Sequence, residues 1–167
     1  MKRVLCIFVF MLLTSVVAIA EYSSFSFDCQ IGMERFNETC YAIFKDEKTE
    51  QVYSIKMSSE FDVANIYSVY RDDLFIDSAL FFNKNAETSE IESIELSYST
   101  LSKEITTNDK TNMVKCLMMF IDDTMTFEDA DKLGAEVMLS KERKVVRNGY
   151  EYTYDGKHIW TVKVLLK

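Results

Sequence analysis

The sequence predicts an α+β fold in which about three helices pack on one face of an antiparallel sheet of about six strands. Apolar residues recur at steps of three and four in three stretches of the chain, and they alternate with polar residues in the stretches between. The order is helix, four strands, loop, two helices and two strands. The length of 167 residues, with 48% hydrophobic and 28% charged residues, suits a single compact domain.

The first twenty residues have the pattern of an export signal. Two basic residues precede an uncharged run from residue 4 to residue 20, and Ala18-Ile19-Ala20 supplies the small-x-small site that signal peptidases cleave. A membrane anchor is the competing interpretation, because this run is near the lower limit for crossing a bilayer, but no basic cluster follows it. We therefore predict a signal peptide over residues 1–20, cleavage near Ala20-Glu21, and a single secreted or periplasmic domain over residues 21–167.

The charge of the chain argues against polyanionic partners. The formal net charge is −8, and removal of a leader that carries Lys2 and Arg3 makes it −10. Such a surface repels nucleic acid and anionic lipid. The expected partner is an extracellular or envelope protein, with no nucleic acid, no membrane after signal removal and no cofactor. The sequence favours no oligomeric state.

The first helix is predicted over residues 30–45, with Asp28 as its N-cap. Asn37-Glu38-Thr39 matches the N-glycosylation pattern, which we discount because it lies inside this helix. The apolar face comprises Met33, Phe36, Cys40, Ile43 and Phe44.

Four strands should follow, because the period of the pattern changes to two. Asp72-Asp73 and Asn83-Lys84-Asn85 break the alternation as turns. The polar stretch 99–109 is the predicted link to the second half. The strand residues are Tyr53, Ile55 and Met57; the mixed stretch 63–70; Leu74, Ile76, Leu80 and Phe82; and Ile94, Leu96 and Tyr98.

Two helices should follow the link as antiparallel neighbours. The first is predicted from about Asp109 to Ile121. The second opens at Thr126-Phe127-Glu128-Asp129, where the Thr126 hydroxyl and the Asp129 carboxylate can form a capping box. The apolar sides comprise Met113, Val114, Leu117, Phe120 and Ile121 in the first, and Phe127, Ala130, Leu133, Val137 and Met138 in the second.

A hairpin closes the chain, and its register can be argued from side-chain parity. A two-residue Asp155-Gly156 turn would place the tyrosines of the first strand and the apolar set of the second strand on opposite faces. An odd, three-residue loop of the G1-bulge type, with Gly156 left-handed, brings both sets to one side, and we predict that loop. The two sets are Tyr150, Tyr152 and Tyr154, and Trp160, Val162, Val164 and Leu166.

Three cysteines follow the leader, Cys29, Cys40 and Cys116, and export would allow a disulfide between two of them. A Cys29–Cys40 bond would close the shortest loop, whereas a Cys40–Cys116 bond would join two helices. The three pairings stay open beside the interpretation that all three are small buried hydrophobic residues. The sequence has no C-x-x-C motif and one histidine, so no metal site is predicted.

The order of elements in the second half supports a resemblance. A polar linker and an apolar helix precede a Thr-capped helix that ends in Leu133-Gly134, and the run from Asn148-Gly149-Tyr150 to Tyr154 leads into an alternating final strand. In this order the chain resembles small secreted bacterial domains of unknown function, whose fold is similar to the β-lactamase-inhibitor-protein-like or TATA-binding-protein-like type. The resemblance could cover residues 28–167. It implies a helix-on-sheet fold and at most a binding function, and it carries no catalytic residue across.

No catalytic constellation is predicted from the sequence. The sole histidine, His158, begins a strand beside a turn, without a G-x-S-x-G elbow or a glycine-rich phosphate loop elsewhere in the sequence. The acidic pairs Asp72-Asp73 and Asp122-Asp123 lack the alternating oxygen ligands of a calcium loop, and are better explained as solvated turns.

The binding candidates are Tyr150, Tyr152 and Trp160, because a row of aromatic rings can form a stacking surface. The alternative is that these rings face the helices and form core. The sequence therefore predicts a secreted, non-enzymatic binding or interaction module. The alternatives are an inhibitor of an extracellular enzyme, with an exposed aromatic patch on the sheet face away from the helices, and a hydrolase that uses carboxylates.

Overall fold

The computed structural model describes Phe25 and residues 28–46, 52–99 and 102–165. The predicted leader and its cleavage site lie outside the described residues. The helices are α1 (Cys29–Asp46), α2 (Thr107–Ile121) and α3 (Phe127–Leu139). The strands are β1 (Tyr53–Glu60), β2 (Ala64–Arg71), β3 (Leu74–Lys84), β4 (Ile91–Tyr98), β5 (Lys144–Arg147), β6 (Tyr150–Tyr154) and β7 (Ile159–Val164).

The strands form one antiparallel sheet in the order β1-β2-β3-β4-β7-β6-β5. The α+β class is confirmed, with seven strands instead of about six. The strand that the sequence analysis did not predict is β5, which pairs with β6 across Asn148-Gly149. Both turn residues have positive φ, 52° and 83°, and Asn-Gly suits such a two-residue hairpin turn.

A row of large apolar side chains crosses the middle of the sheet on its helix-covered face. Tyr67 pairs with Leu80, Leu80 with Leu96, and Leu96 with Trp160. All four side chains are buried, between 0% and 4% exposed. Each such burial contributes about 1.5–3 kcal/mol, so this row is a large part of what holds the helices to the sheet.

Helix α1 starts where its N-cap predicts. The Ile31 N–H donates to the Asp28 carboxylate at 2.9 Å, and Phe36, Cys40 and Ile43 are buried. The glycosylation pattern lies inside this helix, as expected. The Asn37 amide is engaged there: it accepts from the Ile55 N–H at 2.7 Å and donates to the Ile55 carbonyl at 3.2 Å, which seals part of the edge of β1.

Helices α2 and α3 each begin with a capping box. The predicted box at Thr126 and Asp129 is confirmed. A second one joins Thr106 to Asp109, so α2 begins two residues before the predicted start. Helix α3 continues past Leu133-Gly134 to Leu139, which agrees with its predicted apolar side, so the end at Leu133-Gly134 on which the resemblance drew is wrong.

The predicted inner position of Met138 is also wrong. Its side chain is 52% exposed, whereas Val137 is fully buried. Val137 is therefore the last residue of α3 that packs into the core.

The closing hairpin has the predicted parity. Tyr152 pairs with Val162 and Tyr154 with Trp160, so the tyrosines lie on the same side as Trp160, Val162 and Val164, whereas Leu166 lies outside the described residues. Gly156 is left-handed, with φ 83°. The loop has the predicted three residues, 156–158, because the Asp155 N–H donates to the Ile159 carbonyl at 3.0 Å, but its predicted bulge is wrong, since the register continues without a shift. The Asp155 carboxylate closes the loop by accepting the N–H groups of residues 157, 158 and 159 at 2.8–2.9 Å.

Candidate functional site

A cavity of about 270 Å³ lies between α2, α3 and one end of β4, β6 and β7. Its floor is aromatic and is formed by Tyr98, Tyr154 and Trp160. Its walls are mostly small or apolar, with Val114 from α2 and Ala130, Gly134, Ala135 and Met138 from α3. Pockets of this character take one apolar group and orient it with a few polar contacts at the rim.

The aromatic floor is rigid and uncharged. Trp160 stacks on Tyr154, with ring centroids 4.7 Å apart and planes 20° from parallel. Burial raises the pKa of Tyr98 to about 12, against the opposing effect of a hydrogen bond with Trp160. Tyr98 is therefore neutral at physiological pH, and the floor offers ring faces and no anion.

The rim carries one available positive charge. The Lys110 ammonium lies 5.0 Å from the centroid of the Tyr98 ring. Lys115 and Asp131 also line the cavity, but they form an ion pair with each other at 2.7 Å, and the Lys115 ammonium lies 4.1 Å from the Phe127 ring centroid. Within the described residues Lys110 has no ion-pair partner, so its charge can complement an acidic group beside the cavity.

Gly134, in the middle of α3, leaves space at the wall of the cavity because it has no side chain. It is buried in α3 and its backbone forms part of the wall. A Cβ built there would first meet the Met118 side chain, at an ordinary contact distance of 3.9 Å. A glycine here costs helix stability and leaves more space beside α2 than any other residue would.

The structure separates the three residues that the sequence proposed for binding. Trp160 is 4% exposed and forms the cavity floor. Tyr152 is fully buried in the core, and among the described residues its hydroxyl has no hydrogen-bond partner. Tyr150 is half-buried, and its ring stacks on Phe25 with centroids 5.7 Å apart. The three rings share one side of the sheet but do not form one binding surface.

Sequence reasoning missed Tyr98, Lys110 and Gly134 as neighbours of Trp160. A signal existed for two of them. Tyr98 has the parity of the buried Leu96, and a glycine inside an apolar helical stripe marks a close approach or a space. Lys110 gave no signal, because a single lysine in the first turn of a helix has the pattern of an ordinary solvated residue.

Asp109 is the centre of a second polar cluster, which is closed. Its side chain has no exposed surface, and it accepts hydrogen bonds from Tyr53 and Arg71, each at 2.5 Å, and from both the N–H and the hydroxyl of Thr106. Burial alone would raise the pKa of Asp109, but these hydrogen bonds outweigh it and lower the pKa. These hydrogen bonds join the start of α2 to β1 and β2. The Asp109 carboxylate is therefore structural, because it is buried and already engaged and so cannot contact a substrate.

The acidic pairs Asp72-Asp73 and Asp122-Asp123 lie in turns, where three of the four carboxylates have hydrogen-bond or ion-pair partners. Asp72 accepts the Val52 N–H at 2.9 Å, and Asp73 pairs with Lys56 at 3.1 Å. Asp122 accepts from the Thr124 hydroxyl and from the Asn148 amide, both at 2.6 Å. These contacts give the hydrolase hypothesis no pair of converging free carboxylates among the described residues.

His158 lies beside a wide depression on the helix-free face of the sheet. The depression, about 490 Å³, is lined by serines 58, 68, 78, 97 and 99 together with Asp77. The His158 Nδ1 is 3.9 Å from the Asp155 carboxylate and, within the described part of the chain, has no hydrogen-bond partner. A catalytic base needs an orienting partner within about 3.2 Å, and this geometry does not supply one.

The helix-free face also carries an exposed aromatic side chain. Phe75 is 46% exposed, and its ring lies edge-on to Tyr70 with centroids 6.0 Å apart. The Lys56 ammonium lies 4.6 Å from the Tyr70 ring centroid. The Tyr70–Phe75 pair is therefore a partly exposed aromatic patch on that face.

The cysteine geometry removes one of the three disulfide pairings. Cys29 and Cys40 both lie in α1, 11 positions apart, which corresponds to about 16 Å along the helix axis. A disulfide needs Cα atoms closer than about 7 Å, so the Cys29–Cys40 bond cannot form in this fold. All three cysteines are free thiols in the structure.

Comparison of the chain with protein-family models, with curated proteins and with solved structures found no match in any of the three. The resemblance to secreted helix-on-sheet domains therefore stays a prediction. Across the described residues, no group of three or more histidine, cysteine or acidic side chains could hold a metal ion. In the same part of the chain, no helix combines the length and the apolar character that crossing a bilayer requires.

Proposed function

We propose that this chain is an exported, non-enzymatic binding module whose partner is an extracellular or envelope protein. The observation that carries the proposal is the aromatic-floored cavity between α2 and α3. It accepts one apolar side chain of the partner, and the Lys110 ammonium favours an acidic group beside that side chain. The leader pattern of residues 1–20 supports export, and the hydrogen bonds that already engage the buried Asp109 and Asp122 support a non-enzymatic character.

The cavity can be tested through its own tryptophan. Trp160 is the one tryptophan of the sequence, so its fluorescence reports occupancy of the floor on which it lies. N-acetylphenylalanine, which joins an aromatic ring to a carboxylate, should change the emission with saturation. Phenylalanine amide has the same ring with a positive charge and should bind more weakly because of Lys110. Equal binding of both compounds would contradict the proposed charge preference. Binding of neither compound would contradict the proposed site.

A matched pair of variants extends the test to the natural partner. Ala135 and Glu136 are neighbouring exposed residues of α3, and Ala135 lines the cavity whereas Glu136 does not. Ala135→Trp should fill the cavity and abolish retention of envelope or secreted proteins in a pull-down. Glu136→Trp should retain the same proteins as the wild type. Retention that is insensitive to Ala135→Trp would show that the partner binds elsewhere.

The exposed Tyr70–Phe75 pair favours a second candidate, an inhibitor of an extracellular enzyme that binds through the helix-free face. Exposed aromatic rings are frequent anchors of protein interfaces. In the same pull-down, Phe75→Ser would then abolish retention while Ala135→Trp would leave it intact. The two candidates thus predict opposite responses to the same two substitutions.

A further inference from the structure

Two of the three cysteines lie against each other in the interior. Cys40 is in α1 and Cys116 is in α2, and neither side chain has exposed surface. Phe36, one turn before Cys40, contacts Phe120, one turn after Cys116, with ring centroids 5.6 Å apart, and both helices contribute to the same hydrophobic core. The start of α2 at Asp109 contacts Tyr53 of β1, and Asn37 in the middle of α1 contacts Ile55 two residues further along the same strand. The two helices therefore run antiparallel and place Cys40 opposite Cys116. Cys29 lies about 16 Å away along α1, so it reaches neither of them.

We infer that Cys40 and Cys116 are a site of oxidative cross-linking, at which a disulfide joins α1 to α2 while Cys29 stays a thiol. The reaction is a thiol–disulfide exchange with an external disulfide, R–S–S–R. One cysteine thiolate attacks a sulfur of R–S–S–R, which forms a mixed disulfide with the protein and releases the first R–S⁻. The second cysteine thiolate then attacks the protein sulfur of the mixed disulfide, which forms the Cys40–Cys116 bond and releases the second R–S⁻. Two protons pass from the cysteines to the two released R–SH molecules, so the protein is oxidised and the external disulfide is reduced.

The thiol–disulfide exchange takes place while the chain folds, before the core around the two cysteines has closed. Burial raises the pKa of the Cys40 thiol, and its contact with Cys116 raises it further. The nucleophile is the thiolate, so the buried pair in the finished fold reacts slowly with an external disulfide. Before α1 docks, both thiols are accessible, and the native packing then brings them together.

The Cys40–Cys116 disulfide would mainly stabilise the attachment of α1 to the rest of the fold. This helix is held to the rest of the fold by β1 and α2, as in the Asn37 contact with Ile55 and in the ring contact of Phe36 with Phe120. A covalent link from the middle of α1 to α2 removes conformations from the unfolded chain over the long loop that it closes. The oxidised protein should therefore melt at a higher temperature than the reduced one.

The decisive experiment refolds the predicted mature chain, residues 21–167, which lacks Cys6, in a buffer of oxidised and reduced glutathione, so its result is independent of export and of the proposed binding function. Blocking of free thiols with iodoacetamide, followed by peptide mapping without reductant, should show one Cys40–Cys116 cross-linked peptide and alkylated Cys29. The intact mass before blocking should be about 2 Da below that of the reduced protein, because two hydrogens are lost. Alkylation of both Cys40 and Cys116 after refolding, or a bond that includes Cys29, would overturn the inference.

Thermal unfolding supplies a second readout, first in the wild type and then in two cysteine variants. The oxidised wild type should melt several degrees above the same protein treated with dithiothreitol. Cys29→Ala should keep this difference, whereas Cys40→Ala should abolish it. An equal melting temperature for oxidised and reduced wild type would contradict the proposed tie between α1 and α2.

Discussion

The Asp109 carboxylate joins the start of α2 to β1 and β2 through Tyr53 and Arg71. Asp109→Asn removes the negative charge and leaves the Arg71 guanidinium, which is 17% exposed, without its partner. Breaking such a buried pair costs about 3–5 kcal/mol, and we expect a loss of that size in the free energy of unfolding, measured with urea. Asp123→Asn, at an exposed carboxylate, is the control and should change stability by less than about 0.5 kcal/mol. Equal effects of the two substitutions would contradict the role of Asp109.

Asn37 is a second single residue on which two elements depend. Its amide makes both hydrogen bonds to the Ile55 backbone at the edge of the sheet. Asn37→Ala should lower the free energy of unfolding by about 1–3 kcal/mol, because it leaves two partly buried backbone groups unpaired. Glu38→Ala, one position along on the exposed side of α1, should be nearly neutral. Hydrogen exchange at the Ile55 amide would localise the effect, and unchanged protection there would argue against it.

At the scale of elements, the start of a helix could be predicted from the sequence where one local motif was enough to define it. Thr126 and Asp129 predicted the start of α3 because a capping box needs four residues and no tertiary partner. Thr106 and Asp109 have the same spacing, but the polar run around them looked like a loop. Strand β5 escaped because it is a short edge strand in which Val146 is 56% exposed, although Asn148-Gly149 marked its turn.

Substitution by alanine should change the free energy of unfolding in opposite directions at Gly134 in α3 and at Gly149 in the β5–β6 turn. Gly134 is helical and a Cβ would meet Met118 at 3.9 Å, so Gly134→Ala should raise the free energy of unfolding by about 0.5–1 kcal/mol. Gly149 has φ 83°, so Gly149→Ala should lower it by about 1–2 kcal/mol. Urea denaturation of both variants checks the pair. Destabilisation by Gly134→Ala would mean that the wall of the cavity cannot accept one methyl group.

At the scale of the whole molecule, the sequence predicted the sides of the sheet but not the depth of each side chain. Parity placed Tyr150, Tyr152 and Trp160 on one side, and the loop argument fixed that side as the one shared with Val162. Which of them borders a cavity depends on where α2 and α3 cross the sheet. That crossing is decided by packing between residues distant in sequence, as when the Phe120 ring of α2 stacks on the Phe82 ring of β3, and no local pattern encodes it.

Acid should unfold this protein through carboxylates that are better bound in the folded chain. Burial opposes ionisation of Asp109, Asp122 and Asp155, but hydrogen bonds outweigh it and lower the pKa of each below its ordinary value of about 3.9. The unfolded chain therefore binds more protons near pH 3, and the stabilisation that is complete above about pH 5 is lost as the pH falls through the folded-state pKa values. Relief of the net charge of −8 acts in the opposite direction at first, so the decisive range lies below about pH 4. Urea denaturation from pH 7 to pH 2.5 should show a steep fall there in the wild type and a shallower one in Asp109→Asn, which lacks one of these carboxyls. A wild-type stability that stays level down to pH 2.5 would mean that these hydrogen bonds do not favour the ionised carboxyls.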